Sequence, residues 1–268
     1  MSVLPNNKLS EQVPEYATLS FFEKRTKYAI VIPTINEGAR ILDQLQRMKM
    51  LGISDLADIF LVDGGSTDGS TEADRLQELA VRGILTKIGR GKLSAQLRVG
   101  YWHILTEGYD GVITIDGNGK DSVESVPLFL KALDEGIDYA QASRFVAGGG
   151  AINTPRIRDL AIRAIHSPVL SLAARRRFTD TTQGFRAYSR RYLTDPRVQP
   201  FRDIFQTYEL LAYLTVRASQ IGFKTREVPT TRSYPSSGKI PTKLTWRGNV
   251  KLLQILWNTL SGKYHPER

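Results

Sequence analysis

"YAIVIPTINEGARILDQLQRMKMLGISDLADIFLVDGG", residues 28–65, carries the pattern that decides the fold. An apolar run rich in β-branched residues, Tyr28–Thr34, reads as a strand buried on both faces. Ile41, Leu42, Leu45 and Met48 then recur at helical spacing, and a second apolar run, Asp58–Gly64, reads as another strand. Strand, helix, strand makes a crossover unit, and crossover units make parallel strands. The rhythm continues. "STDGSTEADRLQELA" opens with N-cap residues and predicts a helix. "GILTKI" is a third strand, "KLSAQLRVGYWHILTEG" a helix and "GVITIDG" a fourth strand. "VESVPLFLKALDEG" is a helix with Pro127 near its start, and "DYAQASRF" a fifth strand. Such alternation over about 120 residues predicts an α/β fold, a mainly parallel sheet with helices on both faces.

After Phe145 the rhythm changes. "VAGGGAINTP" is a glycine-rich loop. "RIRDLAIRAIHSPVLSLAARRRF" alternates aliphatic and basic residues at helical spacing, with a kink expected at Pro168. "DTTQGFRAYSR" reads as a turn and a short strand, "YELLAYLTVRASQIG" as a helix ending at Gly222, and "FKTREVPTTR" as a strand. "SYPSSGKIPTKLT" has loop composition, and "WRGNVKLLQILWNTL" is a final amphipathic helix. The expected organisation is an arm or short helix over 1–26, one α/β domain over 27–245 and a C-terminal amphipathic helix over 246–268.

The 268 residues suit one large domain, and 41% hydrophobic with 24% charged residues is a globular balance. A formal net charge of +10 favours anionic partners: nucleic acid, a phosphorylated substrate or an acidic membrane surface. With no cysteine there is neither a disulfide framework nor a Cys-ligated zinc, which fits a reducing cytoplasm. No apolar run of about 18 residues is present, so any membrane contact is expected to be peripheral, on the inner face. No recognised nucleic-acid motif accompanies the charge, which counts against a basic binding module without chemistry.

Ligands of open parallel sheets sit beyond the carboxyl ends of the strands. Those ends carry Pro33-Thr34-Ile35-Asn36-Glu37, Asp63-Gly64-Gly65-Ser66, Asp116-Gly117-Asn118 and Ser143-Arg144. A calcium loop starting at Asp116 fails on spacing, with Lys120 at position 5, Asp121 where glycine is needed and Pro127 where glutamate is needed. No phosphate-cradling P-loop pattern exists, and no G-x-G-x-x-G follows the first strand. Asp116 and Asn118 suit Mg²⁺ or Mn²⁺ shared with a diphosphate. The alternative is an Asx-turn capping the next helix. Arg90 and Lys92 flank Gly91 before a helix and could touch phosphate, or be a solvated turn. His103 and His166 read as packing residues.

The ordered set "VIPTINEG", "LVDGGSTDGS", "GKLSAQLRVGY", "TIDGNGKD", "ASRF", "DTTQGFRAYSR" and the segment ending "EVPTTR" resembles glycosyltransferase family 2, with its GT-A fold. Within it, the chain is similar to the polyprenyl- or dolichyl-phosphate mannose or glucose synthases over about residues 28 to 245. The resemblance implies an inverting transfer from a nucleotide-sugar donor to polyprenyl phosphate. It implies that Pro33, Thr34 and Glu37 line the nucleoside pocket and that Asp63 contacts the base. Asp116 and Asn118 would hold Mg²⁺ or Mn²⁺ on the diphosphate. Arg144, with Arg158, would face the acceptor phosphate. Lys92, Arg232, Lys239 and Lys243 would contact the donor diphosphate. The pattern departs from the family's Asp-x-Asp at Asn118, which ligates through a carbonyl and brings no charge. A phosphate acceptor is already an anion and needs no strong base; a saccharide hydroxyl acceptor, as in capsule or cell-wall synthesis, needs a carboxylate. Asp180 and Glu209 are the candidates, each also readable as a turn or cap residue. A nucleotidyltransferase would want a basic Gly-rich first loop, which "PTINEGAR" is not. The Arg156–Arg163 and Arg175–Arg177 charges, interleaved with aliphatics, point to an interfacial helix.

Overall fold

A strand apolar at every position fits only between two covered faces, because successive side chains point to opposite sides. In strand Tyr28–Thr34, Ala29 and Val31 enter one core with Val62, Leu97 and Tyr101; Ile30 and Ile32 enter the other with Ile41, Leu45 and Leu61. The computed structural model describes residues 12–236 and 246–266. Among these, the strands are β1 (Tyr16–Ser20), β2 (Tyr28–Thr34), β3 (Asp58–Asp63), β4 (Gly83–Lys87), β5 (Gly111–Thr114), β6 (Tyr139–Ser143), β7 (Gly150–Ile152), β8 (Arg186–Ser189), β9 (Thr225–Pro229) and β10 (Thr231–Ser233). The helices are α1 (Ala39–Met50), α2 (Ile53–Leu56), α3 (Ala73–Glu78), α4 (Leu93–Thr106), α5 (Val126–Asp134), α6 (Arg156–Ala161), α7 (Ser167–Ala174), α8 (Arg190–Thr194), α9 (Glu209–Gln220) and α10 (Trp246–Leu260).

The main sheet runs β1-β4-β3-β2-β5-β8-β6-β9, and β10 pairs with β7 in a separate two-stranded sheet. β4, β3, β2 and β5 are parallel, as expected. Their order reverses at β2, so the loops after β2 and β5 diverge there and leave a crevice. Thr34 is in register with Asp63, and Val31 with Thr114, so the acids after β3 and β5 lie on one rim, either side of β2.

Four features depart from the sequence reading. Tyr16–Ser20, inside the expected arm, is an edge strand antiparallel to β4. The helix expected from Ser66 begins only at Ala73, because Ser66 and Ser70 bond instead to Asp63 and Asp68. β8 inserts antiparallel between β5 and β6. The kink expected at Pro168 appears as a π-helical turn, Ile162–His166, and Pro168 sits in the first turn of α7, where its missing N–H costs nothing.

Helix α4 lies close on the sheet because Gly100 offers no side chain. A Cβ there would stand 2.7 Å from Val31 Cγ1 and 3.0 Å from Val62 Cγ2. Four residues earlier on the same helix, Gln96 donates to the carbonyls of Thr34 (2.9 Å) and Val62 (2.7 Å), tying the carboxyl ends of β2 and β3 together. Gly100→Val should therefore overpack this contact and lower stability by about 1–3 kcal/mol, measured as a fall in the urea unfolding midpoint.

Candidate functional site

A cleft of about 550 Å³ opens at the carboxyl ends of β2 and β5. Of the residues singled out from sequence, Pro33, Thr34, Glu37, Lys92, Asp116, Asn118, Arg158 and Arg232 line it. Two loops build one wall. Asn36, in the left-handed region at φ 50°, accepts from Thr67 N (2.8 Å) and donates its N–H to Ser66 Oγ (3.0 Å); Gly38 N donates to Asp68 (2.8 Å). Glu37 is held by Arg40, whose Nη2 lies 2.8 Å away.

Asp63 is buried and does not line the cleft. Its carboxylate accepts from Gly65 N, Ser66 N and Ser66 Oγ at 3.1, 3.0 and 2.6 Å, so it shapes the loop. Arg144 and Asp180 are also withdrawn from the wall. Arg144 Nε and Nη2 reach Asp180 at 2.7 and 3.1 Å, both side chains essentially unexposed. Burial alone would raise the Asp180 carboxyl, but Arg144, Gln183 and the Thr182 N–H hold it below the usual carboxylate range. Glu209 accepts from Gln206 N (3.1 Å), Thr207 N and Thr207 Oγ1, and caps the chain ahead of α9. Lys239 and Lys243 lie outside the described residues.

The acids after β5 are gathered by one arginine. Arg232, on β10, places Nη1 2.6 Å from both oxygens of buried Asp121 and Nη2 3.2 Å from Asp116 Oδ2. Burial opposes its charge, but Asp121 and Asp116 outweigh that and raise its pKa. Asn118 Nδ2 also donates to Asp116 Oδ2 (3.3 Å), and its Oδ1 accepts from Lys120 N (3.2 Å), an Asx-type turn. Asp116 Oδ1 takes no hydrogen bond among the described residues and faces Gly184, where a Cβ would lie 2.1 Å from it. The partly exposed Asp116 carboxylate and the neighbouring amide fit a divalent cation whose remaining ligands come from a bound diphosphate and water. They do not make a site from protein alone: among the described residues no cluster of three or more His, Asp or Glu could hold a metal.

Two cleft residues, His166 and Lys120, had no site role in the sequence reading. His166, read as packing, stands at the end of the π-helical turn and lines the cleft, its Nδ1 2.7 Å from Thr181 Oγ1. Burial, then the Arg186 charge, lowers its pKa to about 4. Lys120 lines the cleft over the Tyr234 ring (5.2 Å), and the Arg158 guanidinium lies 5.8 Å from the same ring centroid. The Arg158 side chain makes no hydrogen bond or ion pair among the described residues, and its buried Nε is unpartnered. Gly184 was legible only as part of a motif. His166 had no local signal, since a histidine among aliphatics is ordinary core composition.

The chain is similar to several curated sugar transferases. No protein-family profile matches the chain. It is 28% identical over 207 residues to the polyprenol monophosphomannose synthase of Mycolicibacterium smegmatis, covering 75% of this chain and 76% of the relative. It is 28% identical over 203 residues to the undecaprenyl-phosphate mannosyltransferase of Micrococcus luteus, covering 75% and 81%. The glycosyltransferase AglJ of Haloferax volcanii is 28% identical over 218 residues, 80% of this chain and 65% of the relative. Among solved structures, glucosyl-3-phosphoglycerate synthase of Mycobacterium tuberculosis with Mn²⁺, UDP and phosphoglyceric acid superposes with a TM-score of 0.61 at 17% identity, covering 90% of this chain and 80% of that one. That likeness is one of fold, the GT-A arrangement of sheet and helices.

Two outcomes follow for the buried polar groups. Asp180→Asn leaves Arg144 buried without its counter-charge and should cost about 3–5 kcal/mol in urea unfolding. Stability should also fall as pH drops from 6.5 towards about 4, where the unfolded chain binds a proton that His166 refuses; His166→Asn should flatten that slope.

Proposed function

We propose that this glycosyltransferase moves a hexose from a nucleotide-sugar donor to polyprenyl phosphate at a membrane surface. One observation carries the reading. The cleft is lined both by the charged Asp116, Lys120, Arg158 and Arg232 and by the apolar Leu252, Ile255 and Leu256 of α10. The same helix exposes Leu253 and Trp257 (68%) on its outer side. A single cavity thus joins phosphate-binding chemistry to a helix with an apolar outer face.

The nucleoside would lie along Pro33, Thr34 and Glu37, with its diphosphate reaching Asp116, Lys92 and Arg232. Bound at Asp116 and the Asn118 carbonyl, Mg²⁺ or Mn²⁺ would stabilise negative charge on the leaving diphosphate. Arg158, unpaired and facing the cleft, is the better-placed cation for an acceptor phosphate; Arg144 orients the wall through Asp180. An acceptor phosphate oxygen attacks the anomeric carbon, the bond from that carbon to the diphosphate oxygen breaks, and the nucleoside diphosphate leaves with the electron pair. Attack from the face opposite the leaving group inverts the configuration. The attacking oxygen is already anionic, so no proton needs to be removed.

A saccharide hydroxyl acceptor is disfavoured on a specific ground. Asp180 is committed to Arg144 and Glu209 to the Thr207 cap, so neither carboxylate is presented to a substrate. Peripheral membrane contact is supported by α6, the π-helical turn and α7, which expose Ile157 (86%), Leu160 (67%) and Leu172 (69%) beside exposed Arg156, Arg175 and Arg177. α10 packs against α7 and α9, so its exposed side chains belong to the same part of the molecule. No helix among the described residues is long and apolar enough to cross a membrane.

Incubation with radiolabelled nucleotide sugars, Mg²⁺ and membranes should transfer label to the organic phase; label confined to water would overturn the reading. Asp116→Asn should reduce that transfer by about 10²–10³-fold in protein whose circular dichroism shows it still folded. Replacing Ile157 and Leu160 together by Glu should weaken sedimentation with anionic vesicles by about tenfold or more, an effect read at constant salt.

A further inference from the structure

We propose that Lys120 and Arg232 supply at Asp116 much of the positive charge that a divalent cation brings to a nucleotide site, so that this chain binds a nucleoside diphosphate without added metal. The inference rests on the donor-binding reading above and goes beyond it in assigning the charge to the protein.

The charge balance of the cleft leads there. Two carboxylates, Asp116 and buried Asp121, face three cations, Lys120, Arg158 and Arg232. Arg232 already sits on both acids, bonded to Asp121 at 2.6 Å and to Asp116 at 3.2 Å. Asn118 adds no charge to attract a cation. The corner is therefore net positive before any ligand arrives. A divalent ion entering it alone meets repulsion from these three cations; an anionic diphosphate, with or without an ion on it, meets attraction. Lys120 is held for the purpose. It is buried to 9% exposure in the cleft wall, over the Tyr234 ring; burial, then the Arg232 and Arg158 charges, lower its pKa to about 8, against the pull of Asp116 and Asp121, which leaves it mostly charged at neutral pH. A cation fixed in a poorly hydrated wall stabilises an anion without the reorganisation that water requires. A chain that relied wholly on a metal would place a second acid beside Asp116 and keep lysine away; this one does the reverse at both positions.

The test is calorimetric titration of the full chain with UDP and GDP, in EDTA and in saturating Mn²⁺. For whichever nucleotide binds, the dissociation constants in the two arms should agree within about threefold. Lys120→Met should weaken binding in EDTA by about tenfold or more, with a smaller loss in Mn²⁺, and Lys120→Arg should restore it. Asn118→Asp should tighten Mn²⁺ itself, followed by electron paramagnetic resonance of the free ion. Binding that vanishes in EDTA but persists in Mn²⁺ overturns the inference and leaves the transferase reading standing. Absence of nucleotide binding in both arms overturns both. Equal losses in the two arms for Lys120→Met, with no rescue by arginine, assign Lys120 a packing role and also overturn it.

Discussion

The guanidinium of Arg232 is the contact on which the site's shape depends. It reaches from β10, outside the main sheet, to Asp121 and Asp116 in the loop after β5, and a backbone bridge joins Asp121 to Arg232 as well. Two acids so close would repel in a buried corner; one delocalised cation with several donors in a rigid plane satisfies both. The β5 loop is thereby fixed against the segment that closes the opposite side of the cleft. Asp116 packs its carboxylate against Gly184, and the lack of a side chain there is what gives that carboxylate room.

Behind this front stands a second ion pair with a different job. Arg144 and Asp180 are buried together, and Thr182 and Gln183 bond to Asp180 as well. A buried pair of this kind contributes little net stability, because desolvation offsets attraction, but it is costly to break. Its effect is to hold the turn before β8, and with it Gly184, at a set distance from Asp116. Asp116, Lys120, Arg158 and Arg232 thus line the cleft, whereas Asp63, Arg144, Asp180 and Glu209 stand behind it and hold the backbone.

The cleft joins two regimes of solvent. Its strand-end side is polar and cationic, and its α10 side is apolar, continuous with helices that expose aliphatic residues and arginines. The π-helical turn, Ile162–His166, brings His166 to the cleft between α6 and α7.

Residues 28–143 were legible because each strand there is apolar on both faces and each helix carries its own periodicity, signals local to about a dozen residues. From these the parallel order and the rim bearing Asp63 and Asp116 could be read. The insertion of β8 between β5 and β6, and the pairing of Tyr16–Ser20 with β4, could not, since strand partners are chosen by contacts far apart in the chain. The same holds for side-chain roles. The sequence by itself determined that acids and bases stand at the strand ends. Only the tertiary structure decided that Arg232 would neutralise two of them, that Arg144 and Asp180 would cancel out of sight, and that Lys120, Arg158 and His166 would face the cleft. Charge type is written in the residue, but whether it meets a partner or a ligand depends on where distant segments place the opposite charge.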